Sequence, residues 1–379
     1  MRRTTTTAEG LGLRAGDWVE VRSKQEILQT LDARGRLDDL PFMAEMFAYC
    51  GQRLRVYKSA HKTCDTIGFT GGRSIERAVH LEGVRCDGAQ HGGCQAACLI
   101  FWKEAWLKPD IKESPPAVAV ASQRPACSES AVVSAARSEG GRAEGPDATY
   151  VCQATELVQA SRPLRSLDLR QYIKDYRTRN VNARDLVDGF VYMLCETLIK
   201  AARGPNSRIG WWLVNAYDRI QAARGGRPFP RKRGAIPAGQ PTPSGALGLR
   251  PGEWVRVIPY EEILKTLDTN NKNRGLYFDA EHVPFCNGRF RVRAIVDRII
   301  DEKTGRMLHF KGPSVILEGA WCKSGYSDRR LFCPRSIFPY WRELWLERIE
   351  DAQNLDPNGG SASGSHPGPE NLRLPMVSR

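Results

Sequence analysis

The sequence has no run of the roughly 18 uninterrupted apolar residues that a membrane span requires. Its first residues, MRRTTTTAEGLGLRAGDW, carry two arginines without the apolar stretch of an export signal behind them. The expectation is therefore a soluble, cytoplasmic protein with no integral membrane association. Also missing are a Walker loop, a dinucleotide fingerprint, a nucleophile elbow and an HExxH pair. Those absences remove the sequence grounds for the nucleotide, hydride-transfer, serine-hydrolase and zinc-peptidase chemistries, and they leave any reaction, substrate or catalytic residue unassigned.

Acidic residues are scarce in one place. Between Arg162 and Arg233 there are sixteen lysines and arginines against six aspartates and glutamates, so ten of the thirteen net positive charges lie in the middle of the chain. Such a segment attracts anionic partners, although charge of this size is also ordinary solvated surface. Cysteine, by contrast, is plentiful, with eleven in 379 residues. In a reducing compartment these thiols point to metal ligation, catalysis or simple burial rather than to a disulfide framework.

The chain repeats itself. LGLRAGDWVEVRSKQEILQTLD, from Leu11, returns as LGLRPGEWVRVIPYEEILKTLD from Leu247, an offset of 236. LEGVRC ending at Cys86 meets LEGAWC ending at Cys322; after a short insertion the offset becomes 239, where Cys94 meets Cys333 and WKEAWL from Trp102 meets WRELWL from Trp341. A repeat of this length is the mark of a duplicated domain.

Within each copy, GDWVEV and GEWVRV alternate apolar and polar residues as a half-buried strand does. Ser23 followed by Glu26 forms a capping box ahead of Ile27, Leu28 and Leu31, which predicts a short helix. RLRVYKSA, AVHLEGV, RFRVRAIVDRII and SVILEGA read as further strands, with a turn at DEKTG from Asp301. A short strand opened by a Gly-Asp or Gly-Glu turn, a helical excursion and a run of antiparallel strands resembles a small SH3-like barrel. The resemblance covers about half of each copy and implies a fold, not a function.

The expected class is thus α+β: two tandem SH3-like small β-barrel domains separated by a disordered linker and an α-helical insert. The boundaries run 11–108 for the first barrel, 109–148 for a Pro/Ala/Ser/Gly-rich linker, 149–225 for a basic helical insert, 226–246 for a Pro-rich linker, 247–350 for the second barrel and 351–379 for a disordered tail. In the insert, Leu169, Tyr172, Ile173 and Tyr176 share one helical face. Leu186, Phe190, Val191, Leu194 and Leu198 share a second, and Ile209, Trp212, Leu213, Ala216, Tyr217 and Ile220 a third.

Comparing the two copies sorts the cysteines. Cys50, Cys86 and Cys94 have counterparts in Cys286, Cys322 and Cys333. Cys64 faces Ile300, Cys98 faces Ile337, His61 faces Asp297 and His91 faces Arg330, so four metal-capable side chains are absent together from the second copy. The leading ligand set is Cys64, Cys86, Cys94 and Cys98, with His91 and His61 as substitutes or supporting groups. Thiolates of this kind suit zinc or an iron–sulfur cluster. The spacing C-x21-C-x7-C-x3-C matches neither a compact zinc motif nor a ferredoxin motif. A simple hairpin over 53–64 and 77–86 would put Cys64 and Cys86 at opposite ends, up to about 30 Å apart. Cys50 would then replace Cys64. An extra strand between Asp65 and Arg77 would bring Cys64 back, and this second arrangement is the one favoured here. Cys50, Cys152, Cys195 and Cys286 read as buried apolar thiols, and Cys127 as an incidental linker residue.

Glu26, Asp32, Glu45, Asp65, Glu82 and Glu104 all have acidic counterparts, which capping and ion pairing explain more simply than acid–base catalysis. Trp102 and Trp106 read as an aromatic core pair and His80 as a packed or surface histidine. Three functions remain open. The first is a metal-binding accessory protein, an electron carrier or scaffold for a partner enzyme. The second is a nucleic-acid-binding protein using segment 162–233, although the helix DGFVYMLCETLIKA is too apolar for a major groove. The third is a metal- or thiol-dependent enzyme.

Overall fold

The computed structural model describes residues 10–110, 127–137, 148–327 and 329–349. The first repeat is organised by the strand Trp18–Val21, whose alternation puts Val19 and Val21 fully inside. It lies between Arg53–Ser59 and Leu107–Pro109, and the antiparallel sheet continues from Arg53–Ser59 through Ala78–Arg85 to Leu99–Lys103. In the second repeat Trp254–Val257 lies between Arg289–Ile295 and Leu346–Arg348, and the sheet continues through Ser314–Leu317 to Trp341–Arg342. Register matches as well as order. Trp18 opposes Arg55 and Trp254 opposes Arg291, both displaced by the 236 residues of the sequence repeat. The whole is a mixed α/β structure with several antiparallel sheets.

Local chemistry sets the short elements. Ser23 and Glu26 cap each other at the start of the helix Lys24–Thr30, whose Ile27 and Leu28 enter the core. Trp102 and Trp106 are fully buried against Phe42, both edge-on. The Trp106 indole N–H donates to Thr30 Oγ1 at 3.0 Å, and Trp345 does the same to Thr266 at 2.9 Å. The expected extra strand exists as Gly72–Ser74. It pairs with Lys62–Cys64 on one side and with Arg162–Leu164 of the insert on the other, forming a separate sheet. The second repeat has the matching hairpin Arg298–Ile300 with Met307–His309.

The repeats face one another about an approximate two-fold relation. Arg85 donates to the carbonyls of Ala97 at 2.7 Å and Ser336 at 3.0 Å, which occupy the same place in the two repeats. Gln95 of the first repeat pairs with the backbone of Asp297 and Arg298 in the second, and Lys62 of the first donates to Leu331 O of the second. These bonds tie the two repeats directly to one another.

Several connecting segments depart from expectation. Residues 127–137 lie within the expected linker yet form the helix Glu129–Ser134, and Cys127 and Val132 join the first core. The rest of that linker, 111–126 and 138–147, and the tail 351–379 lie outside the described residues. The Pro-rich segment 226–246 is anchored rather than free: Phe229 is buried against Tyr192 and Tyr217, and Arg231 pairs with Glu196 at 2.8 Å. Backbone bonds add to this: the N–H groups of Ala235 and Ile236 donate to Leu264 O at 2.9 Å and Leu267 O at 3.0 Å.

The insert forms helices Arg170–Arg177, Ala183–Ala201 and Arg208–Ala223, the last two capped by Asn182 and Ser207. Their buried faces differ from those expected. Tyr172 is inside while Leu169, Ile173 and Tyr176 are exposed; Tyr192, Glu196 and Ile199 are inside while Val191, Leu194 and Leu198 are exposed. In Arg208–Ala223, Val214 and Tyr217 are inside, whereas Ile209, Trp212 and Ile220 face outward. Apolar residues cover more of these helices than their neighbours can bury. Polar anchors decide the rotation: Asp175 is drawn in by Lys62 at 2.5 Å and Glu196 by Arg231. No helix among the described residues is long and apolar enough to cross a membrane.

Candidate metal centre

Strand Ala78–Arg85 delivers Cys86 to the base of a loop that the Cys86 N–H closes on Cys98 O at 2.9 Å. Inside the loop, the N–H groups of His91 and Gly93 both donate to Gly88 O, and that of Cys94 to His91 O. The turn needs glycine at position 88. Its φ is +73°, and a Cβ would lie 1.9 Å from Cys94 O. Gly92, at φ +63°, lies where a Cβ would strike the Tyr150 ring.

This wrapping brings Cys86 and His91 onto Glu45, which projects from the 3-10 helix Ala44–Tyr49. The Cys86 thiol donates to Glu45 Oε1 at 3.1 Å, and His91 Nδ1 lies 3.5 Å from the same oxygen. His91 Nε2 faces Val151 O at 3.1 Å, and a carbonyl can only accept, so Nε2 carries a proton. Nδ1 faces the Glu45 carboxylate. Neither that nitrogen nor Glu45 Oε2 has a hydrogen-bond partner, although both are buried. One donor atom from each of Glu45, Cys86 and His91 falls within 4.8 Å of the others. A thiol sulfur, an imidazole nitrogen and a carboxylate oxygen converging in this way form a donor set that a zinc ion can bridge.

A cavity of about 40 Å³ opens beside this triad, lined among others by Cys94, Cys98, Cys152, Glu302 and Arg335. Burial pushes the Cys98 thiol up to about 12 and the Cys152 thiol up to about 11. Burial, then Glu45 and Cys98, push Cys86 further still. Without a cation these thiols stay protonated; a bound metal ion reverses that preference.

The structure groups Cys86, His91, Cys94 and Cys98 around one cavity and places Cys64 and His61 elsewhere. Cys64 is buried against Cys333 of the second repeat. His61 Nε2 lies 3.3 Å from Asp175 of the insert, and burial lowers its proton affinity despite that carboxylate. The extra strand does not return Cys64 to Cys86, because it is held by Arg162–Leu164 instead. Nor is Arg330 the structural counterpart of His91. Glu281, the counterpart of Glu45, accepts from Ser327 Oγ at 3.1 Å and Tyr326 N at 2.6 Å, so Ser327 occupies the place of His91 and the insertion follows it.

Two residues of the site escape sequence reasoning. Glu45 looks like the other shared acids, which do make caps and turns: Asp32 accepts from the N–H groups of Arg34 and Arg36, and Glu104 from that of Leu11. Its one distinguishing sign is that no capping pattern surrounds it. Cys152 lies outside both repeats, so no internal comparison reaches it. Comparison of the chain with protein-family models, curated proteins and solved structures gives no match.

Proposed function

We propose that the chain is a metal-binding accessory protein in which the first repeat holds a zinc ion through Glu45, Cys86 and His91, with the Cys94 and Cys98 thiols beside them. The observation that carries this reading is the unpartnered, buried Nδ1 of His91 directed at the Glu45 carboxylate next to the Cys86 sulfur. A mixed oxygen, nitrogen and sulfur donor set favours zinc over an iron–sulfur cluster, which takes thiolates almost throughout. Because zinc does not change oxidation state, the reading is a metal-stabilised scaffold rather than an electron carrier. We read the two matching sheets as tandem SH3-like barrels, a reading supported by their shared strand order and register. The ion would staple the glycine-rich loop to the first barrel.

Elemental analysis of protein purified without chelator tests this. Zinc is expected in the wild type, with the first-repeat ion lost in Cys86→Ser and in His91→Ala. Metal-free, fully folded wild-type protein defeats the proposal, and so does metal content unaffected by both substitutions. The nucleic-acid reading draws less support, because the exposed faces of the insert helices carry Leu194, Leu198, Ile209, Trp211 and Trp212 rather than a continuous basic stripe.

A further inference from the structure

We infer that the solvent face of the helix Arg208–Ala223, together with the adjoining end of Ala183–Ala201, docks on an anionic membrane surface, so that the chain lies on a bilayer without crossing it. Trp102, Trp106, Trp341 and Trp345, at matched positions of the two repeats, are fully buried, whereas Trp211 and Trp212 are each 63% exposed. Ile209 and Ile220 on the same helix are exposed too, as are Leu194 and Leu198 near the end of the preceding one. The insert thus shows solvent an aromatic and aliphatic surface of the kind that mostly marks an interaction site.

Helical spacing sorts Arg208–Ala223 into two faces. Gly210, Val214 and Tyr217 turn inward, and the last two join Tyr192, Ile199 and Phe229 in one cluster. At about 100° per residue, Arg208, Trp211, Trp212 and Arg219 fall on the opposite side, so two guanidiniums bracket two indoles. The end of the hairpin stands clear of the rest of the protein. Between Lys200 and Trp212 only Gly210 is buried, and it is packed against Gly204 and Ser207 of the same turn. At a rise of about 1.5 Å per residue, Leu194 and Leu198 on one helix and Ile209, Trp211 and Trp212 on the other all lie within about 10 Å of that turn.

Charge selects the occupant. The two acids between Gly189 and Arg224 are both engaged, Glu196 by Arg231 at 2.8 Å and Asp218 by Lys232 at 2.9 Å. Arg203, Arg208 and Arg219 are exposed and, among the described residues, pair with no acid. An anionic headgroup layer supplies the missing countercharge. Indoles settle at the headgroup level and the isoleucines and leucines reach the acyl boundary, while the long arginine stems keep their charged heads among the phosphates. A second copy of the chain would set arginines against arginines. A nucleic-acid strand would pair with the arginines and stack on the indoles, yet it would leave Ile209, Ile220, Leu194 and Leu198 with nothing apolar to cover them.

Co-sedimentation of the full-length protein with vesicles tests this, using phosphatidylcholine alone and an equal mixture of phosphatidylcholine and phosphatidylserine. Binding is expected to the mixed vesicles and should weaken with added salt. Arg208→Gln with Arg219→Gln should reduce partitioning about thirtyfold, and Trp211→Ala with Trp212→Ala by about tenfold or more. All four side chains are exposed, so both double variants should keep the wild-type melting temperature. Brominated acyl chains should quench part of the wild-type tryptophan fluorescence, and that quenching should vanish when Trp211 and Trp212 are replaced. Three results overturn the proposal: no binding of the wild type to the mixed vesicles, equal binding to both kinds, or binding that the tryptophan substitutions leave unchanged. In the first case, a concentration-dependent dimer broken by Trp211→Ala with Trp212→Ala assigns the face to a second copy of the chain. Retention of a single-stranded oligonucleotide, lost in the same variant, assigns it to nucleic acid instead.

Discussion

Thr66 hydrogen-bonds Glu302, its own counterpart 236 residues further along the chain. Two equivalent residues can meet in this way only where a two-fold relation passes between them, so this pair marks the axis about which the repeats pack. Arg335 fastens the junction. Its guanidinium donates to Glu302 Oε1 at 2.6 Å and to Thr66 Oγ1 at 2.8 Å, and its side chain is 2% exposed.

Removing Glu302 should therefore cost more than removing a surface acid. Glu302→Ala leaves a guanidinium buried with its countercharge gone, a class of change that costs about 3 to 5 kcal/mol. Adding Arg335→Met to Glu302→Ala should restore much of that loss by removing the stranded charge. Urea unfolding of the wild type, both single variants and the double variant checks this. Equal stability of Glu302→Ala and the wild type would show that the ion pair does not hold the repeats together.

The glycine-rich loop gives a sharper contrast. Gly88 and Gly12 both have positive φ, at +73° and +62°, but a Cβ at Gly88 would meet Cys94 O at 1.9 Å while one at Gly12 meets nothing within 4 Å. Gly12→Ala pays only the backbone penalty, about 1 kcal/mol. Gly88→Ala must also displace the Cys94 carbonyl and with it the loop that carries His91. Its thermal midpoint should fall several-fold further than that of Gly12→Ala, and its metal content should fall with it.

His80 supplies a pH dependence independent of the metal centre. Its Nδ1–H donates to Ile100 O at 2.9 Å, its ring lies on Phe101, and Nε2 has no partner. Burial lowers it from 6.5 to about 3, outweighing the Ile100 carbonyl, so the folded chain keeps His80 neutral where the unfolded chain protonates it. Between those values the unfolded state binds the extra proton, and stability falls as pH drops below 6.5 until the folded value is reached. At pH 5 the loss is on the order of 2 kcal/mol relative to pH 8. Denaturation midpoints across that range should show the slope in the wild type and a flatter one in His80→Phe.

What was legible in the sequence was what neighbouring residues decide. The Ser23–Glu26 box, the Trp102 and Trp106 pair and the strand alternation at Trp18–Val21 depend on contacts within one repeat, and the second repeat states the tryptophan pair and the alternation again. Cys64 was misplaced because its partners are non-local: Gly72–Ser74 is claimed by Arg162–Leu164, and Cys333 comes from the other repeat. His91 was paired with Arg330 because nothing in the sequence fixes where a three-residue insertion falls between Cys322 and Cys333. Only the contact of Ser327 with Glu281 locates it. The insert helices were rotated from their apolar faces by Asp175 and Glu196, charges whose partners lie in distant segments.

Equivalence of the repeats can itself be measured at the indole hydrogen bonds. Thr30→Val and Thr266→Val each remove the acceptor of a buried tryptophan N–H while nearly preserving shape, at 3.0 and 2.9 Å respectively. An unsatisfied buried donor costs about 1 to 3 kcal/mol. Because the two threonines belong to separate cores, their effects should add within about 0.5 kcal/mol in the double variant. Tryptophan-fluorescence unfolding should give similar losses for the two single variants. A loss confined to one would mean that the shared geometry bears unequal weight, and that one repeat sets the stability of the chain while the other follows.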